Sequence, residues 1–104
     1  MFNVNLIGNL GRDAECVTMT DGRQMMKFPV AAETGKDSMP IWCDVLMPHR
    51  DALLPYLKKG TQVYIAGRCT IKLKDNYMNV NVYPDQLQLC GTKNDQNQDE
   101  TPGA

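Results

Sequence analysis

Two kinds of side chain in this sequence, cations and a single indole, are suited to a ligand that is both negatively charged and flat. One long strand pattern alternates an apolar face with a face that carries Arg68, Lys72 and Lys74. Trp42, the only tryptophan, shares its strand face with Asp44, and because a carboxylate resists burial we expect both to point outward. Cations attract phosphates and flat rings stack on bases, a combination that holds single-stranded nucleic acid without sequence preference.

The other chemically active residues do not form a catalytic or metal-binding pattern. There is one histidine, His49, and the sequence contains no phosphate-binding loop and no nucleophile–base spacing. The cysteines Cys16, Cys43, Cys69 and Cys90 are widely spaced without a CxxC motif. We expect them to be reduced and buried, with a disulfide as the alternative. The sequence predicts a protein that is not an enzyme and that requires no metal or other cofactor.

Length and charge set further bounds. A chain of 104 residues suits one domain, and its 42% hydrophobic content is typical of a globular protein. It lacks an apolar run of about 20 residues and a secretory signal, which predicts a cytoplasmic protein. The net charge is −1, but residues 1–90 hold ten Lys/Arg against nine Asp/Glu, or +1. Binding of a polyanion must therefore depend on where the charges lie.

The first half of the chain is rich in predicted strands. Apolar alternation predicts strands over residues 4–10, 16–19, 24–32 and 41–47. Gly8 lies inside the first of these, which indicates a bulge or a tight bend. Polar residues between the last two strands predict a loop, which contains Lys36.

Residues 48–59 are the only segment with helical spacing. Asp51 is a candidate N-cap, and Gly60 is placed to end the helix. Pro55 falls inside this segment, so we expect the helix either to begin late, near Leu54, or to have an irregular first turn.

The second half returns to strands, over residues 61–74, 77–83 and 86–90. Five or so strands, with one short helix between strands 3 and 4, follow the order of an OB-fold, a five-stranded Greek-key barrel. Periodicity alone also permits another small β-barrel. We expect residues 1–90 to form this all-β domain and residues 91–104, which are polar and lack periodicity, to be a disordered tail.

Three stretches resemble one known family. In the family's order and spacing, the sequence reads LIGNLGRD at residues 6–13, GRQMMKFPVA at 22–31 and YLKKGTQVYIAGR at 56–68. These resemble bacterial single-stranded DNA-binding proteins across residues 2 to about 90. The resemblance implies an OB-fold that assembles as a homo-oligomer, commonly a tetramer, with single-stranded DNA wrapped over its outside. It also implies a role in DNA replication, repair or recombination.

The resemblance also implies roles for individual residues. Trp42 falls where the family has a DNA-stacking tryptophan at the start of the third strand. Arg50 and Lys72 match basic positions of the family, and Tyr77 matches its tyrosine after the hairpin turn. The predicted DNA-binding set is Trp42, Lys36, Arg50, Arg68, Lys72, Lys74 and Tyr77.

The chain departs from the family at several aromatic positions. Further stacking residues of the family align with Lys36, with Pro48 or His49, and with Lys74. Lysine retains attraction to phosphate and loses base stacking. We therefore expect weaker binding than in a typical member, a stronger salt dependence and a shorter DNA site per protomer.

Two other departures concern assembly and partners. Cys43-Asp44 replaces a His-Arg pair that the family commonly has near its subunit contacts, so a dimer stands beside the tetramer as an alternative. The family's acidic tip with a terminal phenylalanine is replaced by Thr101-Pro102-Gly103-Ala104. We expect recruitment of repair enzymes by that tip to be lost.

Two other functions remain open on the sequence. One is a primosome-type accessory OB protein, which is dimeric and uses lysines more than tryptophans. The other is an OB domain that binds proteins and has no affinity for DNA, an interpretation supported by the near-neutral charge.

Overall fold

A computed structural model describes residues 1–92, with side chains described for residues 1–90. Within this part the chain forms six strands and one short 3-10 helix. The strands are β1 (Asn3–Leu10), β2 (Glu15–Thr18), β3 (Gln24–Ala32), β4 (Ile41–Pro48), β5 (Thr61–Lys74) and β6 (Tyr77–Thr92), and the 3-10 helix η1 spans Leu54–Tyr56. None of the helical structure in the described part is long and apolar enough to cross a membrane.

Five of the six strands close into a ring. The pairing order is β1–β5–β6–β4–β3, and β3 pairs again with β1 to complete the circle. Every contact in the ring is antiparallel except that between β4 and β6, where Asp44 pairs with Asn81 and Val45 with Val82 in parallel. The short strand β2 lies outside the ring and pairs only with β3.

Gly8 lies where β1 pairs with a neighbouring strand on each of its two edges. It pairs with Ala32 of β3 and with Val63 of β5. A Cβ atom at this position would lie 2.3 Å from the carbonyl oxygen of Ala31. Only glycine tolerates such a close backbone approach, so the bend expected at Gly8 has a structural cause.

The core fills the inside of the ring. Alternating residues of each strand point inward, and the fully buried side chains come from β3, β4, β5, β6 and the segment after η1. The largest are Phe28, Met26, Leu57, Ile65, Val30, Val45, Val63 and Val82. The opposite residues of each strand form the outer surface, on which the candidate site lies.

The helix predicted over residues 48–59 is reduced to one short element. A short helix is present between β4 and β5, but it is a single 3-10 turn over Leu54–Tyr56 with proline in its first turn and no side-chain N-cap. Asp51, the expected cap, instead hydrogen-bonds the His49 ring at 2.6 Å. Pro55 lies in the first turn and lacks a backbone donor, so the helix cannot extend back toward Asp51. Leu57 nevertheless enters the core, and its carbonyl accepts the Ala14 N–H at 2.8 Å.

The two last predicted strands, 77–83 and 86–90, are one continuous strand. In β6, Pro84 pairs with Gly67 and Gln86 pairs with Ala66, so Asp85 is an extra residue at a bulge. The bulge breaks the alternation in the sequence without breaking the strand. β6 ends at Thr92, and the remainder of the predicted tail, residues 93–104, lies outside the described residues.

Candidate nucleic-acid interface

The outward residues of β4, β6 and β5 form one continuous surface, called the outer face here. Strand alternation turns one residue in two toward solvent, and pairing aligns them in rows. One row runs from Asp44 to Asn81 and then to Thr70. The outer face consists of Trp42, Asp44 and Leu46 of β4, Tyr77, Asn79, Asn81 and Tyr83 of β6, and Arg68, Thr70, Lys72 and Lys74 of β5.

Trp42 points out of the ring, and its side chain is 57% exposed. It pairs with Ala31 of β3, and its six-membered ring rests on Gly11. A Cβ atom at Gly11 would be 2.6 Å from Cζ3 of the indole and 3.6 Å from Cγ of Pro29. The indole therefore lies on the outer surface with part of its area open, as a stacking residue requires.

Lys72, Lys74 and Tyr77 share the distal part of this face, where β5 and β6 extend as a two-stranded arm. Lys72 pairs with Asn79, and Lys74 pairs with Tyr77, whose ring is 67% exposed. Trp42 lies two residues before Asp44, and Asn79, the partner of Lys72, lies two residues before Asn81, so Trp42 and Lys72 both lie beyond the same end of the parallel contact. No carboxylate among residues 1–90 comes within 4.0 Å of either lysine.

Arg68 lies on the same strand face as the two lysines, closer to the ring. It pairs with Tyr83, and its guanidinium carbon is 5.5 Å from the centre of the Tyr83 ring. This is the range of a cation–π contact. The contact orders the guanidinium on the outer face beside an aromatic ring.

Lys36 and Arg50 lie at opposite ends of β4 and do not join one cluster. Lys36 is exposed in the loop that leads into β4 near Trp42. Arg50 follows the other end of the strand, and its carbonyl accepts N–H groups of the next turn from Leu53 (3.0 Å) and Leu54 (3.1 Å). From Trp42 to Pro48 an extended strand covers about 20 Å. The predicted residues thus form a strip along β4 and the arm.

A groove borders the strip, between the β2–β3 hairpin and strands β4, β5 and β6; we call it the hairpin groove. It consists of two depressions of about 270 Å³ and 450 Å³, which share Met19, Leu46 and Tyr83. The cations along it are Lys27, Arg23 and Arg68. The sequence prediction did not include the groove, although Lys27 was detectable as an outward residue between buried Met26 and Phe28.

Acidic side chains divide the positive charge of this surface. Asp44 is half-buried in the middle of the outer face, and Asp85 lines the groove. Asp21 forms an ion pair with Arg23 at 2.8 Å. The Arg23 backbone N–H, together with its guanidinium, lowers the pKa of Asp21. Among residues 1–90, no carboxylate lies within 4.0 Å of the outer-face cations Arg68, Lys72 and Lys74.

The cysteines differ in environment and are all unbonded thiols. Cys43 and Cys69 are buried as expected, whereas Cys16 and Cys90 are exposed, contrary to the prediction that all four are buried. Cys16 lies on β2, which is outside the ring, and Cys90 is the unpaired residue at a register shift near the end of β6. Burial, with lesser contributions from Cys69 and Asp44, raises the pKa of Cys43 to about 11. In the described part of the chain, no three potential metal-ligand residues come together.

Comparison with known sequences gives a consistent result. The sequence model of the Single-strand binding protein family matches residues 1–87. A mitochondrial single-stranded DNA-binding protein of Schizosaccharomyces pombe is 35% identical over 65 residues, 60% of this chain and 43% of that protein. The single-stranded DNA-binding protein 1 of Chlorobaculum tepidum is 37% identical over 82 residues, 70% of this chain and 51% of that protein. The chain thus spans about half the length of these relatives.

Solved structures show the same fold. A mitochondrial single-stranded DNA-binding protein from S. cerevisiae superimposes with a TM-score of 0.72 at 15% identity, over 88% of this chain and 95% of that one. The single-stranded DNA-binding protein from Thermus aquaticus, as a deletion mutant, gives a TM-score of 0.65 at 19% identity, over 86% of this chain and 40% of that one. The closed five-stranded ring is therefore an OB-fold, and the predicted all-β class is confirmed.

Proposed function

Because this chain belongs to the Single-strand binding protein family, whose members are non-enzymatic, we propose that it binds single-stranded DNA without sequence preference. The observation that supports this most is the exposed indole of Trp42 on the same continuous face as Lys72, which has no carboxylate of residues 1–90 within 4.0 Å. This face offers the two groups that sequence-tolerant binding of a single strand needs, a ring for the bases and a cation for the phosphates.

In this proposal, base stacking on Trp42 contributes binding free energy that does not depend on the DNA sequence. Every base has a π-face, and each stacked base contributes roughly 1–3 kcal/mol by alanine substitution. The indole lies against Gly11, so its orientation is set before DNA arrives. A preset ring loses little conformational freedom on binding.

Phosphates contact the cations that flank the indole. In this proposal Lys72 and Lys74 follow the backbone along the arm, Arg68 extends the track toward the ring, and Lys36 and Arg50 extend it at the two ends of β4. Tyr77 is a second exposed ring, opposite Lys74 at the tip of the arm. It stacks on a base that passes the tip.

Binding is weaker and more salt-dependent than in a typical family member, and the site per protomer is shorter. The family resemblance places aromatic residues at Lys36, at Pro48 or His49, and at Lys74, and of these Lys36, Pro48 and Lys74 are exposed. Phosphate contacts weaken as salt rises because bound counterions are released, whereas stacking does not depend on this release. Replacing aromatic rings by lysines therefore increases the share of the binding free energy that depends on salt.

The protein works as a homo-oligomer in this proposal, with a tetramer and a dimer as the two candidate states. The inward side of the arm is apolar and open, with Ile71, Leu73 and Met78 exposed by 50%, 75% and 54%. Residues 3–6 of β1 pair with β5 but not with β3, so one backbone edge there remains available. An open apolar face beside an open strand edge favours contact with a second copy.

The cellular setting is proposed on the same basis. We place the function in DNA replication, repair or recombination and in the cytoplasm, while the S. pombe relative is mitochondrial by name. Recruitment of repair enzymes through an acidic tip is absent from this proposal. Residues 93–104, which bear on it, lie outside the described residues.

A titration with labelled oligo-dT tests the function directly. We expect saturable binding that quenches the fluorescence of Trp42, and at least tenfold weaker binding to duplex DNA of the same length. Trp42→Phe is the matched variant, since it retains a ring but loses the reporter. Absence of any binding at low salt would contradict the proposal and favour an OB domain that binds proteins.

Solution mass, measured with and without oligo-dT, separates the remaining alternatives. A tetramer that binds long oligonucleotides supports the main proposal. A dimer that binds only short oligonucleotides supports a primosome-type accessory protein.

A further inference from the structure

The hairpin groove combines features that the predicted residues alone do not explain. Its two depressions share Met19, Leu46 and Tyr83, so two apolar side chains and one aromatic ring lie where they meet. Arg68 lies over the Tyr83 ring, with 5.5 Å between the guanidinium carbon and the ring centre. A groove with apolar side chains, an aromatic ring and a guanidinium over that ring is suited to a flat, partly polar ligand.

We propose that the hairpin groove is a second nucleobase-binding position, in which a base stacks on the Tyr83–Arg68 pair. This inference rests on the proposed function and extends it, because the base belongs to the same single strand that stacks on Trp42. In this proposal Tyr83 stacks on a base, and the β2–β3 hairpin forms one wall of the path that the DNA follows.

The charges of the groove distinguish a base from a phosphate as its occupant. Asp44 and Asp85 line the two depressions and disfavour phosphates there. Their carboxylates can accept hydrogen bonds from the N–H groups of bases, including the N3–H of thymine. Lys27 lines the outer side, and no carboxylate of residues 1–90 lies within 4.0 Å of it. The base therefore enters the groove while its phosphate remains beside Lys27.

The distance to Trp42 suits a continuous strand. Leu46, which pairs with Lys27, follows Trp42 by four residues on the same face of β4. This separation corresponds to about 13 Å. We take the bound strand to keep a stacked spacing of about 3.4 Å per nucleotide, at which this separation spans roughly four nucleotides. A tetranucleotide on Trp42 should therefore leave the groove empty, and an octanucleotide should fill both positions.

Oligonucleotide length is the variable that tests this inference. Labelled dT4, dT8 and dT12 are titrated by fluorescence anisotropy against the full chain, Tyr83→Ser and Tyr83→Phe. The unmodified chain should bind dT8 much more tightly than dT4. Tyr83→Ser should lose at least about fivefold in affinity for dT8, the minimum expected for one stacked base, with dT4 unchanged. Tyr83→Phe, which keeps the ring, should retain most of the affinity.

Matched variants separate stacking from other causes. Tyr56→Ser makes the same change at an exposed tyrosine of η1 and should leave all affinities unchanged. Thermal unfolding checks that Tyr83→Ser is folded. If it is not, Arg68→Lys decides, because it keeps the charge and removes the planar group; it should lose affinity for dT8 with an unchanged salt slope.

The outcomes distinguish the two proposals. Equal binding of dT8 by folded Tyr83→Ser and the unmodified chain, or by Arg68→Lys when Tyr83→Ser is unfolded, overturns the groove assignment and leaves the function of Trp42 intact. Absence of binding of dT12 by the unmodified chain overturns the proposed function itself, and with it this inference.

Discussion

Gly11 lies directly against the indole of Trp42. A Cβ atom at position 11 would be 2.6 Å from Cζ3 and 2.9 Å from Cη2 of that ring. The backbone cannot easily withdraw, because the Gly11 N–H donates to the Pro29 carbonyl at 3.0 Å. The absence of a side chain at residue 11 thus determines the position of the indole. Gly11, which directly follows β1, therefore positions an aromatic ring of β4.

Gly11→Ala should displace the indole and weaken DNA binding. The added methyl group would overlap Cζ3 of Trp42, so the indole must rotate away from residue 11. We expect a several-fold loss of affinity for oligo-dT and a shift in Trp42 emission. In a Trp42→Ala background the same change should have no further effect on affinity. An equal loss in both backgrounds would place the cause elsewhere.

Trp42→Ala should weaken oligo-dT binding by about five- to 150-fold, corresponding to about 1–3 kcal/mol for one stacked base. Trp42→Phe should fall between this variant and the unmodified chain. The side chain is 57% exposed, so thermal unfolding should change little. Unaltered affinity of Trp42→Ala at moderate salt would exclude stacking at this position.

Lys72→Gln and Lys74→Gln should each reduce the salt dependence of binding. For a single strand, each lost phosphate contact lowers the slope of log K against log salt by about 0.7. Lys58→Gln is the matched control, because Lys58 already faces Asp13 at 3.7 Å and lies outside the outer face. A slope that responds equally to all three changes would indicate general charge rather than a local track.

The four cysteines should react in two classes with a thiol reagent at pH 8. Cys16 and Cys90 are exposed and should react quickly, whereas Cys43 and Cys69 are buried and should react slowly until the chain is denatured. Burial also raises the pKa of Cys69. Mass spectrometry after brief labelling identifies the modified residues. Fast modification of Cys43 would mean that the ring opens readily in solution.

The raised pKa of Cys43 should make folding stability fall at high pH. The folded thiol ionises only at about 11, whereas its ordinary pKa is 9.0, so the unfolded chain loses this proton first. Stability is therefore fully present below about pH 9 and decreases as pH rises toward 11. Urea unfolding at pH 8 and pH 10.5, compared with Cys43→Val, measures the effect. The variant should show a smaller decrease, and an identical decrease would rule out Cys43 as its source.

Leu57→Ala should destabilise the fold by about 2–5 kcal/mol, because Leu57 is fully buried at the base of the ring. The half-buried Leu53→Ala, from the same segment, should lose less. Urea unfolding of both variants measures the difference. Equal losses would show that the segment after β4 packs differently from the described structure.

Local pattern was sufficient for most of the fold. The alternation of Val63, Ile65 and Cys69 with Arg68 and Lys72 identifies the inward and outward faces of β5, since side chains of a strand alternate whatever the neighbouring strands are. The same alternation, applied to β4, predicts that Trp42 points outward. Alternation failed at Asp85, where a bulge inside one strand resembles a break between two.

Other features depend on contacts between residues that are distant in sequence. The segment 48–59 has helical spacing, yet Pro55 and the burial of Leu57 leave one 3-10 turn. Trp42 and Lys72 come to lie on one face because β4 makes a short parallel contact with β6, which no local pattern specifies. The contact of Gly11 with Trp42 and the hairpin groove beside Tyr83 likewise exist only once the ring has closed. Periodicity depends on the backbone of one strand, whereas register and close packing depend on which strands meet, and only the tertiary structure decides that.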